Sequence, residues 1–186
     1  MSRRFFAIII SMALLAVPAG CGSSRTAEPD RIETPAGPSE VYRNSQYALS
    51  IQFPADWTKE ENVPGAVIKF FAPLQDAADV FSENLNIIVE DLGEHLTLDE
   101  YSQLSLQELQ KVRGVDVRLS NTTLAGLPAQ EAIFTMDLQG SSMDFRQIWT
   151  VKDKRAYILT FTSETGTYAD YASIFDLMAA SFKLGS

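Results

Sequence analysis

Alternation of apolar and polar positions is the dominant signal from residue 47 onward. Leu49, Ile51 and Phe53 alternate with Ser50 and Gln52, the period of a strand with one buried face. Pro54 ends that ladder, because it has no N–H to donate. Further strands are predicted at 66–72, 84–90, 115–123, 130–138, 144–152 and 156–162. Gly126-Leu127-Pro128, Gly140-Ser141-Ser142 and Lys152-Asp153-Lys154 read as the turns between consecutive strands, with Gly126 free to take a positive φ. Strands joined by turns this short form an antiparallel sheet. Several are apolar on both sides: Ile87 and Val89 oppose Ile88, while Tyr157, Leu159 and Phe161 oppose Ala156 and Ile158. Neither face of such a sheet can be left in water.

Two helical patterns are available to cover it. Thr97-Leu98-Asp99-Glu100 is a capping box, in which hydroxyl and carboxylate satisfy orphan backbone donors. Leu98, Tyr101, Ser105, Leu109 and Val112 then share one helical face. A second helix is predicted over 167–181, with Tyr168, Tyr171, Phe175 and Met178 on one side. The expected class is α+β: an antiparallel sheet of six to seven strands between helices, one on each face. No internal repeat is visible.

The N-terminus obeys different rules. Arg3 and Arg4 precede an apolar run at 5–17, 13 residues long. That is too short to span a bilayer stably and suits a secretory leader. Ala19 and Gly20 stand directly before Cys21, the single cysteine of the chain. This arrangement resembles the lipobox of bacterial lipoproteins, with Pro18 where leucine is usual. The resemblance implies cleavage before Cys21 and acyl chains, such as palmitate, on its thiol. Paired arginines ahead of Phe5 and Phe6 are also similar to a twin-arginine export signal, without the lysine that usually follows. Residues 1–20 are therefore expected to be a signal peptide and 21–40 a lipidated cysteine with a flexible tether. Residues 22–40 contain three prolines, two glycines and one large apolar residue, too little to offset the entropy of ordering. The domain is expected over 41–186, outside the cytosol and held at the cell membrane or outer membrane by its lipid.

Charge narrows the partners. The chain carries −9, and −11 once Arg3 and Arg4 leave with the leader, which disfavours nucleic acid and anionic head groups. With Cys21 alone, neither an intrachain disulfide nor a thiolate metal cluster is possible.

A run of local motifs carries a family resemblance. Pro54-Ala55-Asp56-Trp57 follows the first strand. Then come Phe81-Ser82-Glu83-Asn84-Leu85-Asn86-Ile87, Leu98-Asp99-Glu100-Tyr101 and Leu124-Ala125-Gly126-Leu127-Pro128-Ala129. Tyr157 to Thr162 and a closing Ala180-Ser181-Phe182 complete it. Over residues 42–184 the chain resembles the PsbP-like family, and the 81–87 segment is closer to its general bacterial lipoprotein branch than to the extrinsic protein of photosystem II. The resemblance implies an antiparallel sheet between helices. For the photosynthetic branch it also implies a role in photosystem II assembly or stabilisation. The Gly-rich signature of that branch is not evident here.

Candidate chemistry is sparse. His95 is the only histidine, and there is no Gly-x-Ser-x-Gly elbow and no phosphate-cradling glycine loop. Asp91, Glu94 and His95 could together hold a divalent cation weakly, and would then support a metal-dependent hydrolase in the acidic 90–99 region. The simpler expectation is a solvated loop whose acids complement a helix N-terminus. Glu83, Asn84 and Asn86 either fix the start of a strand through backbone bonds or form a polar patch that recognises a partner. Trp57 either closes the core or anchors an interface with them, and Trp149 is expected to pack under a helix. No cofactor is expected. The functional expectation is a non-catalytic binding or assembly module with a protein partner.

Overall fold

The computed structural model describes residues 32–34, 37–93, 95–112, 114–138 and 140–185. Cys21 and the leader lie outside the described residues. The large sheet is built from β4 (Thr58–Glu61), β5 (Ile68–Phe71), β6 (Asn84–Asp91), β7 (Arg118–Leu124), β8 (Leu127–Leu138), β9 (Ser141–Lys152) and β10 (Arg155–Glu164). Its seven strands run in the order β4-β5-β6-β10-β9-β8-β7, and every neighbouring pair is antiparallel. A second sheet, in the order β1-β2-β3-β11, joins β1 (Ile32–Thr34), β2 (Gly37–Asn44), β3 (Leu49–Pro54) and β11 (Lys183–Leu184).

The sheet is covered on both sides, as its doubly apolar strands require. On one face α1 (Leu98–Leu109) places Tyr101 and Leu109 against Phe134, Phe145, Trp149 and Ile158. On the other, α2 (Tyr168–Ser181) and the small sheet enclose Phe70, Leu85, Ile87, Leu159 and Phe161 with Ile51, Phe53, Phe175 and Phe182. Burying such a side chain contributes about 1.5–3 kcal/mol, so these two layers are what the helices and the small sheet hold in place. The α1 start is the expected capping box: Thr97 Oγ1 accepts from Glu100 N at 3.2 Å, and Glu100 Oε2 accepts from Thr97 N at 2.8 Å. Trp149 lies under α1 as expected, with its indole N–H donating to Ser102 Oγ at 2.9 Å.

Differences from the sequence reading are local. The β7–β8 turn is Ala125-Gly126, with φ of 53° and 75°, so Leu127 and Pro128 already belong to β8. A two-residue turn with both residues left-handed matches strand twist, and Leu124 faces Leu127 to close it. Residues 115–117 precede β7, where Val115 and Val117 pack onto the α1 core without joining the ladder. Val112 lies beyond the end of α1 and is exposed. Of the residues expected to form a tether, 32–34 and 37–40 are in strands, and 21–31 lie outside the described residues. There β2 pairs with β3, and that backbone ladder overrides a proline- and glycine-rich composition.

Candidate interaction surface

The side chains expected to form one patch divide between the two faces of the sheet. Leu85 and Ile87 belong to the α2 core while Ile88 packs into the α1 core, so strand alternation puts Asn84 and Asn86 on the α1 side. Asn84 Nδ2 donates to Ser82 O at 3.1 Å, a local bond that fixes the start of β6. Asn86 is buried and its Oδ1 accepts no hydrogen bond among the described residues. It belongs to a polar row across four strands, in which Lys69 faces Asn86, Asn86 faces Thr160 and Thr160 faces Gln147. Gln147 Nε2 donates to Thr160 Oγ1 at 2.9 Å, and burial lowers the Lys69 ammonium below its usual range.

Trp57 and Glu83 lie on the opposite side, near the start of α2. Trp57 is buried and meets the Tyr171 ring edge-on at 6.4 Å, while Gln75 Nε2 donates to the Tyr171 hydroxyl at 3.3 Å. Burial first, and the neighbouring Glu83 and Asp79 charges next, raise the Tyr171 phenol above its usual value. Glu83 is only 2% exposed. Its Oε1 accepts from the Oγ1 of Thr167, the residue just before α2, at 2.6 Å. Among the described residues its Oε2 accepts no hydrogen bond of ordinary geometry. A carboxylate at this position complements the positive end of the α2 dipole.

These contacts clamp the base of the loop 72–83. Ser82 Oγ donates to Ala72 O at 2.6 Å, and Ala72 N donates to Glu83 O at 2.8 Å. Inside the loop, Asp76 Oδ1 accepts from Ala78 N and Asp79 N, while the Asp79 carboxylate accepts from Gln75 N and Phe81 N. The loop thereby satisfies its own backbone donors and turns apolar residues outward: Val80 is 86% exposed and Leu74 50%. Sequence reasoning passed over both, together with Gln75, and read Thr167 and Tyr171 only as residues of the second helix. The available signal was two large aliphatic residues in a run otherwise rich in Asp and Ala. A separate shallow groove opens between α2 and β3, lined by Phe53, Pro54, Ile174, Leu177 and Met178 with Ser39 and Gln52.

The acidic segment before α1 is open. Asp91 Oδ1 accepts from Arg155 Nε at 2.8 Å, His95 is exposed, and Glu94 lies outside the described residues. Among the described residues, no group of three His, Cys, Asp or Glu side chains is placed to hold a metal. Glu90, nearby, accepts from the Tyr101 hydroxyl at 2.7 Å, and burial together with this carboxylate raises the Tyr101 phenol well above its usual range. Among the described residues no helix is long and apolar enough to cross a membrane.

Solved structures place the fold. The solution structure of CyanoP, the cyanobacterial PsbP of Synechocystis sp., matches with a TM-score of 0.60 at 14% identity, over 90% of this chain and 98% of that one. LpqN of Mycobacterium tuberculosis, described as involved in cell envelope biogenesis, matches at 0.58 and 12% identity, over 78% of this chain and 89% of its own. The Ran-binding protein Mog1p of Saccharomyces cerevisiae matches at 0.55 and 10% identity, over 78% and 95%. No protein-family model matches the chain. No curated protein matches it either. Likeness at these identities is likeness of fold, and the fold of this chain is PsbP-like.

Proposed function

We propose that this protein is a lipid-anchored, extracytoplasmic binding module that recognises a protein partner and transforms no substrate. The observation that carries the binding half is the loop 72–83. Its base is clamped to Tyr171 and Thr167 while Val80 and Leu74 face solvent. Loops held on a rigid scaffold are where recognition concentrates, and exposed aliphatic side chains on an ordered loop lose little entropy on docking. The anchoring half rests on Arg3, Arg4, the apolar run at 5–17 and Cys21. One acyl chain binds a bilayer only marginally, whereas two or more hold firmly. The involvement in cell envelope biogenesis stated for LpqN supports the extracytoplasmic setting, and the Ran binding stated for Mog1p supports a protein-binding role on this fold. Docking on photosystem II, which the sequence resemblance to the PsbP-like family implies for its photosynthetic branch, is one specific form of the same reading, tested by co-purification with that complex.

Mass spectrometry of the membrane-extracted protein tests the anchor. The expected N-terminal residue is Cys21 bearing acyl chains, and Cys21→Ser should move the domain to soluble fractions. An unlipidated N-terminus cut elsewhere, or an unchanged location for Cys21→Ser, overturns the anchor. Turnover of any substrate by the purified protein overturns the non-catalytic part.

A further inference from the structure

The small sheet has one face in the α2 core and one outside it. Tyr42, Leu49, Ile51 and Phe53 point inward. Side chains alternate along a strand, and residues opposite one another on paired strands share a face. Arg43 of β2 and Lys183 of β11 both flank Ser50, and Val41 flanks Gln52, so these five lie on the outer face. β2, β3 and β11 give that face no acid: their one acid, Glu40, is opposite Phe53 and therefore on the core side. Arg43 and Lys183 are exposed, and among the described residues neither forms an ion pair.

A third cation joins them. Lys152 Nζ donates to Gly185 O at 2.9 Å, just past Lys183, and Gly185 N donates to Ala48 O in the turn between β2 and β3. At the same end Arg155, whose guanidinium lies over the Tyr47 ring, is neutralised by Asp91, and Asp153 offsets its neighbour Lys154. The shallow groove between α2 and β3 opens on the same side, since Gln52 and Pro54 line it. It adds Ile174 and Leu177, both half-buried, to the outer surface.

We propose that this face rests on an anionic phospholipid bilayer, with Arg43, Lys183 and Lys152 at head-group phosphates and Ile174 and Leu177 at the apolar boundary. The inference deepens the anchored reading above and rests on it. Two observations select a bilayer. The first is charge: this face carries cations and no acid, in a chain with 24 acids against 15 Lys and Arg. The second is where the anchoring segment joins. β1, the outermost strand of this sheet, is antiparallel to β2 with Ile32 opposite Ser39, so the chain enters β1 from the Arg43 end. Cys21 stands eleven residues before Ile32, a reach of at most about 40 Å, so acyl chains there keep this sheet close to the head groups. The net charge of −9 does not forbid the contact, because salt largely screens charges more than about 8 Å away. Each Lys or Arg at an anionic surface favours contact about fivefold, and three favour it about a hundredfold. That is too weak to hold a free protein, but it orients a domain already tethered, for which docking is intramolecular.

Energy transfer in protein-free vesicles tests the contact. The chain extracted from membranes carries a fluorescent side chain at position 50 or, across the large sheet, at exposed position 107 of α1. The vesicles are phosphatidylcholine with a head-group acceptor, with or without phosphatidylglycerol. Transfer from position 50 is expected to exceed that from 107, to rise with phosphatidylglycerol and to fall in about 1 M salt, where screening shortens to about 3 Å. Arg43→Gln with Lys183→Gln should lower the docked-to-undocked ratio about thirtyfold with an unchanged circular dichroism spectrum, and Arg43→Lys should match the wild type. Equal transfer from 50 and 107, or no effect of removing both cations, overturns the proposal. So does approach of position 50 to the bilayer only when an acidic membrane protein is added. Mass spectrometry of the same sample keeps the two readings apart. Acyl chains on Cys21 with equal transfer leave the anchor standing and this face wrong, whereas lipid-dependent transfer without acyl chains does the reverse.

Discussion

Replacing Ser102 with alanine isolates one of the bonds that tie α1 to the sheet. Trp149 is 1% exposed, and its indole N–H has Ser102 Oγ as partner at 2.9 Å. The same hydroxyl donates to Leu98 O at 2.7 Å, so its hydrogen is committed and its lone pair serves the indole. Ser102→Ala leaves a buried N–H with nothing to bond, at about 1–3 kcal/mol. Alanine is the better helix former by a few tenths of a kcal/mol, roughly 0.5 at most, which offsets part of this. The net expectation is a loss of about 1–2 kcal/mol. Urea unfolding followed by tryptophan fluorescence measures it, and Trp57 keeps a signal when Trp149→Phe is made. The double variant should be less destabilised than the sum of the singles, by about 1 kcal/mol, because the orphaned donor is then gone. A Ser102→Ala loss under about 0.3 kcal/mol, or strict additivity, would refute the claim that this bond organises the α1 layer.

Two further perturbations test the polar groups on either face. Burial and Glu90 hold the Tyr101 phenol above the unfolded value of 10, so its contribution is fully present below about pH 10 and declines as pH rises beyond it. Tyr101→Phe should be about 1 kcal/mol less stable at pH 7, yet its stability should fall less steeply above pH 10, by up to about 1.4 kcal/mol per pH unit. An alkaline slope identical to wild type contradicts this. Thr167→Val removes the 2.6 Å bond to buried Glu83 and should cost about 2 kcal/mol, with faster amide exchange across 72–83, whereas Thr167→Ser should be near wild type.

Much of the fold was legible because its signals are local and redundant. The doubly apolar β6 and β10 demanded cover on both faces, and the Thr97 box together with the Tyr171, Phe175 and Met178 stripe supplied it. The small sheet and the β4 edge of the large one were less legible. The first half of β2, 37–40, reads as a linker until its pairing with β3 is known, and β4 is too charged to look like a strand. The candidate surface was legible only in part. Trp57 and Glu83 do lie near one another through Tyr171, but alternation along β6 sends Asn84 and Asn86 to the other face. Val80 and Leu74 carry no periodic signal, since exposure in a loop depends on which residues its base clamps.

A photoreactive side chain at position 80 of the full chain in intact cells tests the account most directly. The account predicts one discrete protein adduct from positions 80 and 74, absent from exposed Gln107 on α1 and lost with Cys21→Ser. Adducts from position 80 no different from those at 107, or unaffected by release from the membrane, would contradict it.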